Sequence, residues 1–362
     1  MKYNWFKPLN FKKELSKSII NTVNQNKMTM GPKTIELEKK IKKFINVKHV
    51  VLTTSGTSAL MMAALALKIK PNDVVISSNA TWVATTNPSI ILGANIHLVD
   101  TEKHSQKVSF KELNKKIKKL KPKMVLLVHL NGQPTYNEEF EELKSKYKFF
   151  VIEDAAQALL SKTDAGIHCG TLYDIGCFSL SMTKPVNMVY GGFCSTNSSE
   201  LAEKLIQIRN NGLSSQEWYL KRELASDVGL NFKPSDLHSS VGIINLKAKN
   251  LIAKKLRNIY NYYNKNLTNP KLSLVKVEGK FSVPCYPEVL TNNRDKLISY
   301  CLKKKIVLHS GIRCLSESLP LKNNEKIFPN SIYMSQNIAR LPSGPGYNLE
   351  EISKITDILN NY

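Results

Sequence analysis

Between residues 49 and 196, short apolar runs rich in β-branched residues alternate with stretches whose apolar positions recur at helical spacing. The pattern predicts strands over 49–53, 73–77, 95–99, 124–129, 149–153, 176–180 and 192–196, and helices over 57–68, 110–120 and 137–147. Met124-Val125-Leu126-Leu127-Val128 is apolar at every position, the signature of a strand covered on both faces. Strands that alternate with helices make crossover units, so the fold class is a doubly wound α/β domain around a mostly parallel sheet. After Ser199 a helix through Leu205, Ile206 and Ile208 stops at Asn211-Gly212, a C-cap pair. A polar, irregular segment over 213–234 leads to Ser235-Asp236, an N-cap for one long helix reaching about residue 267. Beyond it the pattern predicts Pro-punctuated strands over 272–277 and 282–286, a helix near 294–304 and a closing helix over 349–360. The chain therefore divides into a large domain over 1–245, which includes the N-terminal segment, and a smaller C-terminal α+β domain over 246–362, hinged at the long helix.

The 362 residues are 42% hydrophobic and 22% charged, which supports a sizeable core and excludes disordered, collagen-like and small disulfide-stapled classes. Lys plus Arg exceed Asp plus Glu by 52 to 29, a net charge of +23. Runs such as Lys115-Lys116-Ile117-Lys118-Lys119 set lysines around apolar positions, as solvated helix faces do, and only six of the basic residues are Arg. A nucleic-acid groove concentrates Arg and interleaves aromatics. The field still favours anionic ligands, phosphorylated substrates among them. Six cysteines form no C-x-x-C pair and stand in no zinc-ligand spacing with the seven histidines, so no metal site and reduced thiols are expected. Residues 1–17 lack an apolar leader core, and the longest apolar run, 59–67, is too short to span a bilayer, so a cytoplasmic protein without membrane insertion is expected.

Three segments carry candidate chemistry. Thr54-Ser55-Gly56-Thr57-Ser58 lies between an apolar strand and a helix, where free backbone N–H groups and the positive helix end receive an anion; an ordinary Ser/Thr N-cap reads the same way. Phe149-Phe150-Val151-Ile152-Glu153-Asp154 ends an apolar strand in two acids, placing a carboxylate at the sheet edge where open α/β folds bind ligands, or capping the next helix. In Cys177-Phe178-Ser179-Leu180-Ser181-Met182-Thr183-Lys184-Pro185 a lysine follows a buried strand and a polar turn, and Pro185 keeps it out of helical geometry. A lysine amine among apolar groups loses its proton and becomes a nucleophile toward carbonyls.

Taken in order, Thr54–Leu60, Trp82-Val83-Ala84-Thr85, Val128-His129-Leu130-Asn131-Gly132-Gln133-Pro134, Glu153–Ala158, Gly176-Cys177-Phe178-Ser179, Thr183-Lys184 and Gly229-Leu230-Asn231-Phe232 resemble the DegT/DnrJ/EryC1/StrS sugar aminotransferases. The resemblance runs from Gly31-Pro32-Lys33 to about Leu246 and is looser beyond. It implies the PLP-dependent transferase fold type I and pyridoxal 5'-phosphate as cofactor. Lys184 would hold that cofactor covalently and then serve as acid and base, Asp154 would pair with the ring nitrogen, and Gln157 would lie near the ring oxygen. Trp82 would stack on the ring, and Gly56, Thr57, Ser58 and Ser179 would hold the phosphate. Asn231 would reach in from the partner subunit of a homodimer. Family members that act as 3-dehydrases carry His where Lys184 stands, so transamination is expected. Pro185 after the lysine, and Val189-Tyr190 in place of the family's acidic residue before Gly191-Gly192, depart from the pattern and bear on the sugar pocket.

Gly31-Pro32-Lys33 resembles the perosamine-synthase type. That implies transfer of an amino group from L-glutamate to C4 of a nucleotide-linked 4-keto-6-deoxyhexose, for lipopolysaccharide O-antigen or a related glycan. C3 amination, a keto-cyclitol substrate, and a non-catalytic nucleic-acid-binding regulator are the alternatives. His309, Arg313 and Arg340 are candidate contacts for the donor carboxylate or the sugar.

Overall fold

Seven of the apolar runs pair into one sheet, in the order β1-β7-β6-β5-β4-β2-β3. The strands are β1 His49–Thr53, β2 Val74–Ser78, β3 Asn95–Val99, β4 Met124–Val128, β5 Phe150–Asp154, β6 Ile175–Ser179 and β7 Gly192–Thr196. The computed structural model describes residues 2–214, 224–322 and 328–362, so part of the irregular 213–234 segment lies outside the described residues. From β3 to β6 every pairing is parallel, whereas β7 runs antiparallel to both β6 and β1. The return from β6 to β7 spans 12 residues and holds no helix, so the chain comes back antiparallel to β6. The sheet is thus mixed as well as mostly parallel.

Helices cover both faces. Gly56–Ala66 (α3) is apolar almost all round, GTSALMMAALA, and is accordingly buried: Ala59, Met62 and Ala63 pack with Cys177 and Cys194 under the sheet. Pro32–Ile45 (α2) presents Leu37, Ile41 and Ile45 to Phe178 and Phe193 on the opposite face. Each such side chain removed from water contributes about 1.5–3 kcal/mol. The sequence pattern did not delimit α2 or the preceding helix Lys12–Asn24 (α1), which leaves Ile19, Ile20 and Val23 exposed and so shows no clean apolar stripe.

The single long helix expected over 235–267 is two helices, Asp236–Lys247 and Lys249–Asn266, because Ala248 leaves helical geometry at φ −87°, ψ 5°. Beyond it, β8 Ser273–Leu274, β9 Glu288–Leu290 and β10 Ile338–Arg340 form a small antiparallel sheet. The strand expected over 282–286 is absent. Pro284 and Pro287 remove two ladder donors, and the segment bonds instead to side chains, Val283 N–H to Ser161 Oγ and Tyr286 N–H to Asn131 Oδ1. Residues at the start of the chain run along this C-terminal part, with Tyr3 bridging Ile306 and Phe6 bridging Ser343.

Candidate active site

In chain order the sheet grows outward from β2 to β3, then reverses to place β4 on the other side of β2. Open α/β sheets bind ligands at such a reversal, beyond the carboxyl ends of the strands. There a cavity of about 460 Å³ is enclosed by the ends of β4, β5 and β6, the turn before α3, and residues from both termini.

The turn before α3 serves as cap and cradle together. Ser55, in extended geometry, accepts the Ser58 N–H at 3.0 Å. Ser58 Oγ is held by the hydroxyls of Thr54 and Ser55, both at 2.8 Å, so its side chain ties the turn and does not line the cavity. Gly56 and Thr57 do line it, and as the first helical residues their N–H groups have no intrahelical acceptor. A Cβ on Gly56 would stand 2.9 Å from Cβ of Ser179, and one on Gly192 would stand 2.5 Å from the carbonyl of Ser55. Glycine at both places lets the turn sit directly on β6 and β7, with Ser179 at the rim.

The two acids closing β5 point to opposite faces, as strand geometry requires. Glu153 is fully buried and accepts the N–H groups of Gly170, Leu172 and Tyr173 at 2.8–2.9 Å. It also takes His129 Nε2 at 2.9 Å; because His129 Nδ1 accepts the Thr135 N–H, Nε2 carries the ring proton and donates. Asp154 faces the cavity. Its Oδ2 accepts from Thr85 Oγ1 at 2.7 Å and its Oδ1 from Ala156 N–H at 3.1 Å, while Thr85 and Thr81 share a hydroxyl bond at 2.7 Å. That Thr81–Thr85 turn carries Trp82, 58% exposed, on the cavity wall.

Lys184 follows β6 in a turn closed by its own N–H to Ser181 O at 2.9 Å and clamped by Tyr286 Oη–H to Thr183 O at 2.9 Å. Burial pushes its amine below the ordinary lysine value; the Arg340 guanidinium adds to this, and the charge of Asp154 opposes it. Gln157 lines the cavity and accepts the Asn131 N–H at 2.9 Å. Asn131 itself, at φ 52°, uses its side-chain amide as a ladder rung, donating to Tyr286 O at 2.7 Å and accepting the Tyr286 N–H at 2.8 Å.

The cavity thus gathers Gly56, Thr57, Trp82, Asp154, Gln157, Ser179, Lys184, His309 and Arg340 from the sequence candidates. Ser58, Asn231 and Arg313 lie outside it. Asn231 is exposed and bridges Asn210, and Arg313 is exposed. Gly31-Pro32-Lys33 does not line the cavity either. Those residues start α2, whose N–H groups at Gly31, Lys33 and Thr34 are capped at 2.9–3.0 Å by the buried carboxylate of Asp236. A Cβ on Gly31 would stand 2.5 Å from that carboxylate, so the glycine lets the cap form. Val189 at φ 68° and Tyr190, whose N–H reaches Met188 O at 2.8 Å, form a strained three-residue turn at the cavity mouth.

Sequence reasoning singled out His309 and Arg340 on the C-terminal wall and missed the Trp5, Tyr286 and Glu288 that hold them. Trp5 packs 5.5 Å from Tyr286 and 4.9 Å from His309, and Arg340 lies 4.5 Å over the Tyr286 ring while pairing with Glu288 at 2.8 Å. No local pattern marks these residues; only the aromatic at position 5 and the Pro-flanked Tyr286 stand out. An anion cradle, a carboxylate, an exposed indole and a desolvated amine around one cavity fit a phosphorylated heteroaromatic aldehyde.

A family model described as the DegT/DnrJ/EryC1/StrS aminotransferase family matches residues 10–360. GDP-perosamine synthase of Vibrio cholerae is 27% identical over 334 residues, 90% of this chain and 89% of that protein. UDP-4-amino-4,6-dideoxy-N-acetyl-beta-L-altrosamine transaminase of Campylobacter jejuni is 29% identical over 293 residues, 79% of this chain and 75% of that protein. Among solved structures, a DegT DnrJ EryC1 StrS aminotransferase from Brucella abortus superposes with a TM-score of 0.88 at 24% identity, over 97% of this chain and 95% of that one.

Proposed function

The chain belongs to the DegT/DnrJ/EryC1/StrS family of pyridoxal-phosphate sugar aminotransferases, and from that premise we propose that it moves the amino group of L-glutamate onto a nucleotide-linked 4-keto-6-deoxyhexose. The product is a 4-amino-4,6-dideoxy sugar nucleotide for O-antigen or a related glycan. Two relatives whose names carry perosamine and a 4-amino-4,6-dideoxy sugar support the C4 position. One observation carries the chemical reading: a lysine amine whose hold on its proton is weakened by burial, in the same cavity as Asp154.

Pyridoxal 5'-phosphate supplies the aldehyde that takes up the amino group and a ring that holds the electron pair left at the substrate carbon. Lys184 would hold it, and its Nζ would move the proton at that carbon, a task that requires a neutral amine, which burial of this lysine favours. Asp154, kept in place by Thr85 and Ala156, would pair with the ring nitrogen. Gly56, Thr57 and Ser179 would receive the phosphate, and Trp82 would give the ring a flat apolar face. Trp82, Val83, Met182 and Tyr190 leave large apolar surfaces exposed near the mouth, which supports a second copy of the chain covering it and delivering Asn231. Among the described residues no helix is long and apolar enough to cross a membrane.

Glutamate-dependent amination of a panel of nucleoside-diphosphate 4-keto and 3-keto sugars, with NMR of the products, tests the substrate. The expected product bears nitrogen at C4; nitrogen at C3, or turnover of a keto-cyclitol in place of the nucleotides, refutes that assignment. Lys184→Ala and Asn231→Ala subunits, each inactive alone, are expected to regain activity when exchanged into mixed dimers. Failure to regain it refutes the shared site.

A further inference from the structure

The peptide unit that leads into Lys184 is held at both of its polar groups. Its N–H, on Lys184, donates to Ser181 O at 2.9 Å, a bond made within the turn. Its carbonyl, on Thr183, accepts Tyr286 Oη–H at 2.9 Å, from a residue 103 positions away. The unit is planar, so bonds on its two opposite sides fix its orientation, and Pro185 disfavours helical geometry at Lys184. The direction in which the lysine side chain leaves the backbone is thereby set. Tyr286 is itself well fixed. Its backbone exchanges two bonds with the Asn131 amide at 2.7 and 2.8 Å, and Pro284 and Pro287 restrict the chain around it. Its ring, 1% exposed, packs against Arg340 at 4.5 Å and Trp5 at 5.5 Å. Burial raises the phenol well above the ordinary tyrosine value, so the hydroxyl remains a donor.

Resting on the reading of Lys184 as the cofactor lysine, we propose that Tyr286 is a positioning residue whose hydroxyl, acting through the Thr183 carbonyl, keeps Lys184 Nζ directed into the cavity. A lysine on its flexible four-carbon stem gains rotamer entropy and hydration by swinging out to water. Inside, the groups that act on its charge are Cys285, Arg340 and Asp154, and burial outweighs them. An amine that leaves for water keeps its proton and can neither attack an aldehyde nor accept a proton from carbon. One hydroxyl thus joins the long-range side of the cavity to the residue that does the chemistry. The competing explanation is that this bond only stabilises the fold. Tyr263 is the matched control: it is fully buried in the C-terminal core, outside the cavity lining, and its Oη–H donates to Pro342 O at 3.0 Å.

Full-length chain stripped of cofactor is mixed with pyridoxal 5'-phosphate, and the rate of covalent capture is read from visible absorbance across pH in the native chain, Tyr286→Phe and Tyr263→Phe. Each substitution removes one hydroxyl from a buried ring and leaves one carbonyl without that donor, so both should lower the urea midpoint alike. Only Tyr286→Phe is expected to slow capture, on the order of 10-fold at neutral pH. The midpoint of its pH profile should also move upward, because an amine released to water titrates nearer the ordinary lysine value. The half-reaction of its loaded form with L-glutamate, followed in the same absorbance, should slow by a similar factor while the KM for glutamate changes by less than about twofold. Replacing Tyr286 by 4-aminophenylalanine, which returns an N–H donor on a ring of the same shape, is expected to restore most of the capture rate. Should Tyr286→Phe fail to fold, 4-fluorophenylalanine at that position, which fills the hydroxyl's volume without donating, takes its place. A native capture rate and midpoint in the Tyr286 variant, or equal slowing by both variants, overturns the proposal. Lys184→Ala checks the premise separately: capture at the native rate in that variant refutes the cofactor lysine itself. No keto sugar enters these measurements, so a wrong sugar assignment leaves them intact.

Discussion

The two walls of the cavity are built differently. The wall from β5, β6 and the α3 turn takes each functional group from a short segment that follows a strand, with capping bonds within a few residues: Ser58 to Ser55, Ala156 to Asp154, Lys184 to Ser181. The opposite wall takes Tyr286, His309 and Arg340 from three separate segments and Trp5 from nearly 300 residues upstream, and fixes them to one another and to Asn131. The local wall carries groups suited to a cofactor, the long-range wall groups suited to whatever is exchanged against it.

The contrast can be broken experimentally in order of expected effect. Lys184→Ala removes the only amine lining the cavity among the described residues, so glutamate-driven turnover should fall by about 10⁴-fold or more, measured by product formation under saturating substrates. Asp154→Asn keeps the bonds to Thr85 and Ala156 within reach and removes the charge, and should slow the same turnover roughly 10²- to 10³-fold while the cofactor still binds. Asn131→Ala cuts the rung that joins the two walls and leaves the Tyr286 backbone groups unpaired. A loss of about 2–4 kcal/mol in urea unfolding is expected, together with a larger rise in the KM for both substrates than fall in kcat. The smallest effect is in pH. In the apoprotein the folded chain releases the Lys184 proton below the pH at which the unfolded chain does, so between those two values the unfolded state binds more protons and stability rises with pH. Lys184→Met lacks that slope, and its stability advantage over the native chain should narrow as pH rises across the window, read from urea midpoints.

The same division decided what the sequence could tell. Strands 49–53, 95–99 and 192–196 lie where their apolar runs predicted, and the other four of the large sheet shift by a residue at one or both ends, because burial on both faces leaves an unambiguous run, whereas the strand expected over 272–277 is cut to Ser273–Leu274. The break at Ala248 carries no Gly or Pro to announce it, and residues 282–286 are apolar enough to read as a strand until their partners prove to be side chains of Ser161 and Asn131. Glu153 and Asp154 could not be told apart by composition; the alternation of β5 sends one into a four-donor cage and the other to the cavity. Arg340 was a sequence candidate but its setting was not legible, since Glu288 stands 52 positions away, and Trp5 was out of reach of local reasoning, since His309 stands some 300 away.

The central claim is that Lys184, among all the lysines of a strongly basic chain, carries the cofactor bond. Reduction of the holoprotein with borohydride followed by peptide mapping tests it most directly. The account predicts a single stable pyridoxyl label on the peptide containing Thr183-Lys184-Pro185. A label on any other lysine, or a stable label in Lys184→Ala at the native yield, contradicts it.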